Sequence, residues 1–226
     1  MTATLQPSTP SSSSLSRSEG ETVLRAIETR RSAPAWLPDE PDRATIARLL
    51  AAANRAPNHK LTQPWRFFVL RRDARLEYAS ALASDQIAFQ QGNDLIASNA
   101  SSAGKMSAEW EARCREAVAQ NLLRAPIVIA AGCVPAQLPE LPDWEELAAT
   151  AAAVQNLLLA AHALGLGAAW KSRSCPLPGA VEWLGLPSHA QLLGHVLLGY
   201  ADPAIAPKPK ARRPHDELTA WLGWDR

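Results

Sequence analysis

Residues 55–69 read Arg55-Ala56-Pro57-Asn58-His59-Lys60-Leu61-Thr62-Gln63-Pro64-Trp65-Arg66-Phe67-Phe68-Val69, and their order sets the local structure. Pro57 closes the helix that precedes it, because its ring removes a backbone donor and clashes with the turn before it. Asn58 to Pro64 then form a polar and basic loop. From Trp65 to Leu70 the side chains are aromatic and β-branched enough for a buried strand. One short stretch thus joins a helix end to a strand start through a loop that carries His59, Lys60 and Gln63.

Working upstream, Asp42 caps a helix whose Ile46, Leu49, Leu50 and Ala53 are spaced for burial. Before it, 21–31 reads as a short amphipathic helix with Val23, Leu24 and Ile27 on one face, and Pro34, Pro38 and Pro41 forbid its continuation. Residues 1–18 are rich in Ser, Thr and Pro, and are expected to be a disordered tail, with 19–226 as one domain. Downstream, 74–91 favours helix, 92–105 an exposed and mobile loop, and 106–123 another helix. Ile127 to Ala131 is a second strand, followed by a proline-rich link over 135–142. The longest helix spans 144–164 and ends at Gly165; its near-uncharged surface predicts burial. Two more strands, 167–171 and 191–200, flank a short helix around 181–184. Helices and strands mix without regular βαβ alternation, which predicts an α+β class with a mixed central sheet surrounded by helices.

The composition narrows the partners. The 226 residues carry 23 Lys and Arg against 22 acids, a net charge of +1, so no overall field steers the chain to nucleic acid or an anionic membrane. No apolar run approaches the roughly 20 residues of a membrane span. Cys114, Cys133 and Cys175 are an odd set without a C-x-x-C pair, which fits reduced thiols and a cytoplasmic location. Most of the eight tryptophans are expected to fill the core.

Several chemistries are missing: there is no G-x-S-x-G, P-loop, H-E-x-x-H or G-x-G-x-x-G after a strand, and the five histidines lack metal-ligand spacing. No metal site and no catalytic acid–base set is expected. What remains is three basic clusters beside helix or strand ends, where donors can converge on an anion. They are Arg30-Arg31-Ser32, Asn58-His59-Lys60 with Gln63, and Lys208, Lys210, Arg212 and Arg213. Arginine suits phosphate because its planar fork donates two hydrogen bonds at once. Each cluster alone is more often explained by arginines that complement a helix dipole.

Taken together the clusters resemble the nitroreductase family, in particular its compact YdjA-like branch. The resemblance rests on Arg30-Arg31-Ser32, on the 55–69 block, on Gly165-Leu166-Gly167-Ala168-Ala169-Trp170-Lys171-Ser172, on Leu193 to Tyr200, and on Lys210-Ala211-Arg212-Arg213-Pro214. It implies an intertwined homodimer with FMN in a groove at each interface. Arg30, Arg31 and Ser32, with Lys210 and Arg212, would grip the FMN phosphate; Lys208 and Arg213 are near enough in sequence to exchange roles with that pair. His59 and Gln63 would reach the flavin from the partner subunit. Trp170, Lys171 and Ser172 would lie along the ring, with Lys171 where the branch usually has arginine. The larger relatives have an acid-glycine turn beside flavin N5, whereas this chain reads Arg173-Ser174-Cys175-Pro176, so the expected donor is a backbone amide between Ser172 and Cys175. Cys175 has no base or cation assigned to make its thiolate and is expected to be inert.

The implied activity is ping-pong: hydride passes from NAD(P)H to FMN, and electrons then pass to a nitroaromatic, quinone or similar small-molecule acceptor. FMN carries the redox chemistry, and the protein binds and orients it. Two other readings stay open, because fold resemblance does not prove activity. One is a flavin-binding or flavin-handling protein without steady-state NAD(P)H turnover. The other is a structural oligomer whose basic clusters are solvated surface.

Overall fold

The computed structural model describes residues 15–97, 107–172, 175–208 and 210–224. Six helices and four strands follow in the order α1 (Arg17–Thr29), α2 (Arg43–Ala53), β1 (Trp65–Arg71), α3 (Asp73–Ala97), α4 (Ala108–Leu123), β2 (Ile127–Cys133), α5 (Asp143–Ala163), β3 (Gly167–Lys171), α6 (Pro178–Trp183) and β4 (Gln191–Gly199), with single 3-10 turns at His59–Leu61 and His215–Leu218. All four predicted strands and the predicted helices are present, most with ends shifted by a few residues.

The sheet order is β1-β2-β4-β3, and every pairing in it is antiparallel. This corrects the expectation of a mixed sheet. β2 and β3 do run in the same direction, joined through α5, as in a parallel crossover. They never pair with each other, because β4 inserts between them and opposes both. The architecture is α+β, with helices on both faces.

Alternation along the strands divides the core in two. Ile127, Ile129 and Ala131 of β2, with Val196 and Leu198 of β4, pack against α2 and α5. Val128, Ala130 and Leu197 point the other way, against α3, α4 and α6. Buried on both faces, β2 has no polar side chain, which is why its sequence lacks a period. Burial also pushes the Cys133 thiol on this strand above its ordinary pKa.

Caps fix the helix starts. Asp42 accepts from the Thr45 amide at 2.6 Å. Ser16 caps α1 in a reciprocal capping box with Glu19. Because of that cap α1 begins at Arg17, so the boundary drawn after residue 18 falls inside a helix; residues 1–14 lie outside the described part. α3 likewise runs on to Ala97, through the first part of the stretch expected to be a loop, and 98–106 are outside the described residues. Asp85 of α3, only 8% exposed, accepts from the amides of Gly179 at 2.8 Å and Ala180 at 2.9 Å. It therefore caps α6 from another helix and ties down the chain that follows β3; caps of this type contribute about 1 kcal/mol.

One expectation about burial fails. Only Trp36 and Trp65 are buried, while Trp144, Trp183, Trp221 and Trp224 are exposed, so core filling does not account for most tryptophans. Val23, Leu24 and Ile27 are also exposed, and α1 buries no residue. Its hydrogen bond to the rest of the protomer is Thr29 Oγ1 to His162 Nε2 of α5, at 2.9 Å. No helix among the described residues is long and apolar enough to cross a membrane.

Candidate functional site

The chain after α1 is sewn to the edge of the sheet. Ala33 donates its amide to the Ala168 carbonyl at 3.1 Å, and the Trp36 indole N–H donates to Gly167 O at 2.8 Å. Leu37 then bonds Tyr200, and Asp202 bonds Ala35, so the exit from β4 is held to the same segment. The close approach requires glycine: a Cβ on Gly167 would come within 2.9 Å of the Ala33 and Ala201 Cβ atoms. Arg30-Arg31-Ser32 is thereby placed beside β3, and the C-terminal basic stretch beside both.

The result is an open cleft of about 560 Å³, within the roughly 300–1,000 Å³ usual for small-molecule sites. Arg30, Arg31 and Ser32 line one side, Lys171 comes from β3, and Lys208, Lys210 and Arg212 come from the C-terminal stretch. Arg124, at the end of α4, also lines it. Nothing in the sequence near Arg124 signals this, since it lies 90 residues from its contact at Pro34; its guanidinium donates to the Pro34 carbonyl and lies 5.9 Å over the Trp36 ring. Seven cationic side chains thus face one another with Glu28 as the single acid in the lining. None of the seven forms a salt bridge among the described residues. Gathering like charge without counter-charge opposes folding, so the arrangement fits a multiply charged anion.

Lys171 also borders a second pocket, about 370 Å³, whose wall includes Ser172, Cys175, His195 and Asn121. Trp170 stands beside it on β3, half-buried, with its indole N–H donated to Leu193 O at 2.9 Å. Leu193 is available because β4 bulges there: Ala131 pairs with Gly194 and Gly132 with Leu192, leaving Leu193 outside the ladder. Gly194 has φ +109, and a Cβ on it would come within 2.9 Å of Ser172 Cα and collide with the Lys171 carbonyl. The sequence shows this glycine only as part of a looser motif, yet it sets the path of 171–172. The donor expected for N5 depends on 173 and 174, which are outside the described residues.

His59 and Gln63 line neither pocket. They sit on the loop before β1, where Lys60, Leu61 and Gln63 all have left-handed backbones, with φ of 53, 54 and 48°. Non-glycine residues in that region cost of order 1 kcal/mol each and concentrate at functional sites. The loop is clamped from outside: Asn58 Oδ1 accepts from the Gln63 amide at 3.0 Å, His59 Nδ1 meets Glu145 Oε2 at 3.0 Å, and Lys60 Nζ meets Glu140 at 2.5 Å. The Lys60 ammonium holds the Glu140 carboxyl below its usual range. Beneath the clamp, Glu146, 2% exposed, accepts from the Ala136 amide at 2.7 Å and fixes the 135–142 link to α5. Leu61, 79% exposed, forms the tip.

A basic cleft lies at the β3 edge of the α+β sheet, and a strained loop precedes β1. The nitroreductase family model matches residues 27–200, and the chain belongs to the nitroreductase family. YdjA of Escherichia coli K12, whose own assignment as an NAD(P)H nitroreductase is provisional, is 28% identical over 178 residues, 78% of this chain and 87% of that protein. A nitroreductase-like family protein from Bacillus cereus has a crystal structure with a TM-score of 0.71 at 25% identity, covering 89% of this chain and 96% of that one. The FMN-dependent nitroreductase NfnB from Mycobacterium smegmatis, crystallised with NADPH, shares the fold at a TM-score of 0.63 and 21% identity, covering 90% and 99% of the two chains.

Gly194→Ala should displace 171–172, because the added methyl meets backbone rather than a movable side chain. For a chain that holds a flavin along β3, retention should fall at least tenfold while the circular dichroism spectrum stays folded. Unchanged retention would show that the path of 171–172 does not matter for binding.

Proposed function

We propose that the chain is an FMN-dependent oxidoreductase that uses NAD(P)H to reduce a nitroaromatic, quinone or similar electrophile. The observation that carries this is the cleft of seven cations with no ion-pair partner among the described residues, set at the edge of β3 in a chain of this family. The residues fit the cofactor. Arg30 and Ser32 would hold its phosphate from one side and Lys210 and Arg212 from the other, with Arg31 bracing the turn by donating to the Glu28 and Arg30 carbonyls. Trp170, Lys171 and Ser172 would support the ring, Trp170 being fixed by its bond to Leu193. When bound, FMN supplies the hydride acceptance and electron delivery that no side chain here can perform.

We also propose that each site is shared by two protomers, with His59 and Gln63 serving the partner's cleft. Their absence from the lining of the cleft within one chain, the strain of their loop and its exposed Leu61 tip support this. So do the uncovered apolar side chains of α1 and of the C-terminal stretch, where Leu218, Trp221, Leu222 and Trp224 are all exposed. Apolar groups exposed in clusters mark interaction surfaces.

Anaerobic addition of NADPH or NADH to the yellow protein should bleach the flavin absorption within seconds. If neither does so, the protein binds flavin without turning over, and the oxidoreductase reading fails. Arg30→Ala should weaken FMN at least tenfold and riboflavin little, since only FMN carries the phosphate; equal losses would remove Arg30 from the phosphate.

The shared site has its own signature. Arg30→Ala and a His59→Ala/Gln63→Ala double variant should each spoil both sites of their own homodimer. In a C2 heterodimer one site collects both defects and the other none. Random reassortment of equal amounts therefore restores about a quarter of all sites. Activity that remains at the mean of the two parents would mean that each chain completes its own site.

A further inference from the structure

We infer that the cationic cleft holds a second anion subsite, built on Arg124 and Lys208, that takes the 2′-phosphate of NADPH and so selects NADPH over NADH. This rests on the FMN reading above. A phosphate monoester carries about −1.5 to −2 at neutral pH and offers three terminal oxygens. Arg30, Lys210 and Arg212, with the Ser32 hydroxyl, already exceed that charge and supply a donor group for each of the three oxygens. Four cations are left over in the same lining.

Two of the four have other work. The Arg31 Nη1 is committed to the carbonyls of Glu28, at 2.6 Å, and Arg30, at 2.9 Å. Lys171 borders the second pocket with Ser172, on the ring side of the site. Arg124 and Lys208 have no acid partner among the described residues. Arg124 is also oriented in advance: one nitrogen is bound to the Pro34 carbonyl and the guanidinium lies over Trp36, which leaves the rest of the fork to donate.

The charge of the lining favours one kind of nucleotide. A ribose 2′-hydroxyl can donate to a carboxylate, whereas a 2′-phosphate accepts from arginine or lysine. Among the described residues Glu28 is the only acid lining this cleft, against the surplus cations. The pyrophosphate is common to both nucleotides and cannot discriminate. The 2′-phosphate is an additional monoester dianion, the group that gains most from two adjacent cations.

The test uses full-length, FMN-loaded protein and titrates it calorimetrically with adenosine 2′,5′-bisphosphate and with adenosine 5′-diphosphate. The first should bind at least tenfold more tightly. Lys208→Gln and Arg124→Gln should each bring the ratio toward one and lower the NADPH-to-NADH ratio of kcat/KM by a similar factor, while Lys208→Arg keeps both. Because Arg124 also braces Pro34, the surface residue Lys208 decides the matter if the Arg124 variant fails to fold. Equal binding of the two nucleotides by the unmutated protein would overturn the subsite. So would release of FMN by Lys208→Gln, which would assign that lysine to the flavin phosphate. A protein that never retains FMN would sink the flavin reading and, with it, the subsite that rests on it, an outcome distinct from equal nucleotide binding by FMN-loaded protein.

Discussion

The indole N–H of Trp36 donates to the Gly167 carbonyl, and on either side of it Ala33 bonds Ala168 and Leu37 bonds Tyr200. This seam carries the positional information of the cleft. Arg30 to Ser32, Lys171 and the stretch from Lys208 to Arg212 come from three distant parts of the chain, and each is a few residues from the seam. Its geometry is set by the missing side chains of Gly167 and Gly199, against which Ala33, Ala201 and Pro126 pack more closely than a Cβ would allow, with Trp36 in tight contact beside them. Hydrogen bonds contributing about 1 kcal/mol each thus hold together charges that would otherwise repel.

The strands and helices were legible in the sequence because β2, β4 and α5 are buried and their apolar runs are unmistakable. The direction of the sheet was not, because hydrophobic period reports which face a residue occupies and says nothing about which strand lies beside it. The tryptophans misled for a related reason: an apolar side chain signals burial somewhere, and within this protomer Trp144, Trp221 and Trp224 are exposed. At the site, Arg30, Arg31, Ser32, Lys171, Lys210 and Arg212 were readable as short motifs, and the fold brings them to one cleft. Arg124, Asp85 and the role of Gly194 were not readable, since each acts through a contact far away in sequence.

Two features of the free protomer are energetically unfavourable, and they are of different kinds. The cleft concentrates positive charge, which an anion relieves at once. The loop over 58–63 stores backbone strain, held by Asn58, Glu140 and Glu145, which no small anion relieves. The first suits a cofactor and the second suits a surface. A rigid loop loses little conformational freedom when it is covered, so strain already present in the free chain becomes preorganisation for contact.

The insertion of β4 between β2 and β3 also constrains when the molecule can form. β2 ends at Cys133, but its second neighbour is not synthesised until Gln191 to Gly199. Until then a strand without polar side chains has one edge unpaired, and α5, made in the interval, has only part of the sheet to rest on. Pairings so distant along the chain close slowly, and exposed apolar edges invite aggregation. During synthesis on the ribosome the nascent chain therefore carries its most aggregation-prone segment unprotected for nearly 60 residues, and a chain truncated before β4 would be a substrate for chaperones and proteases.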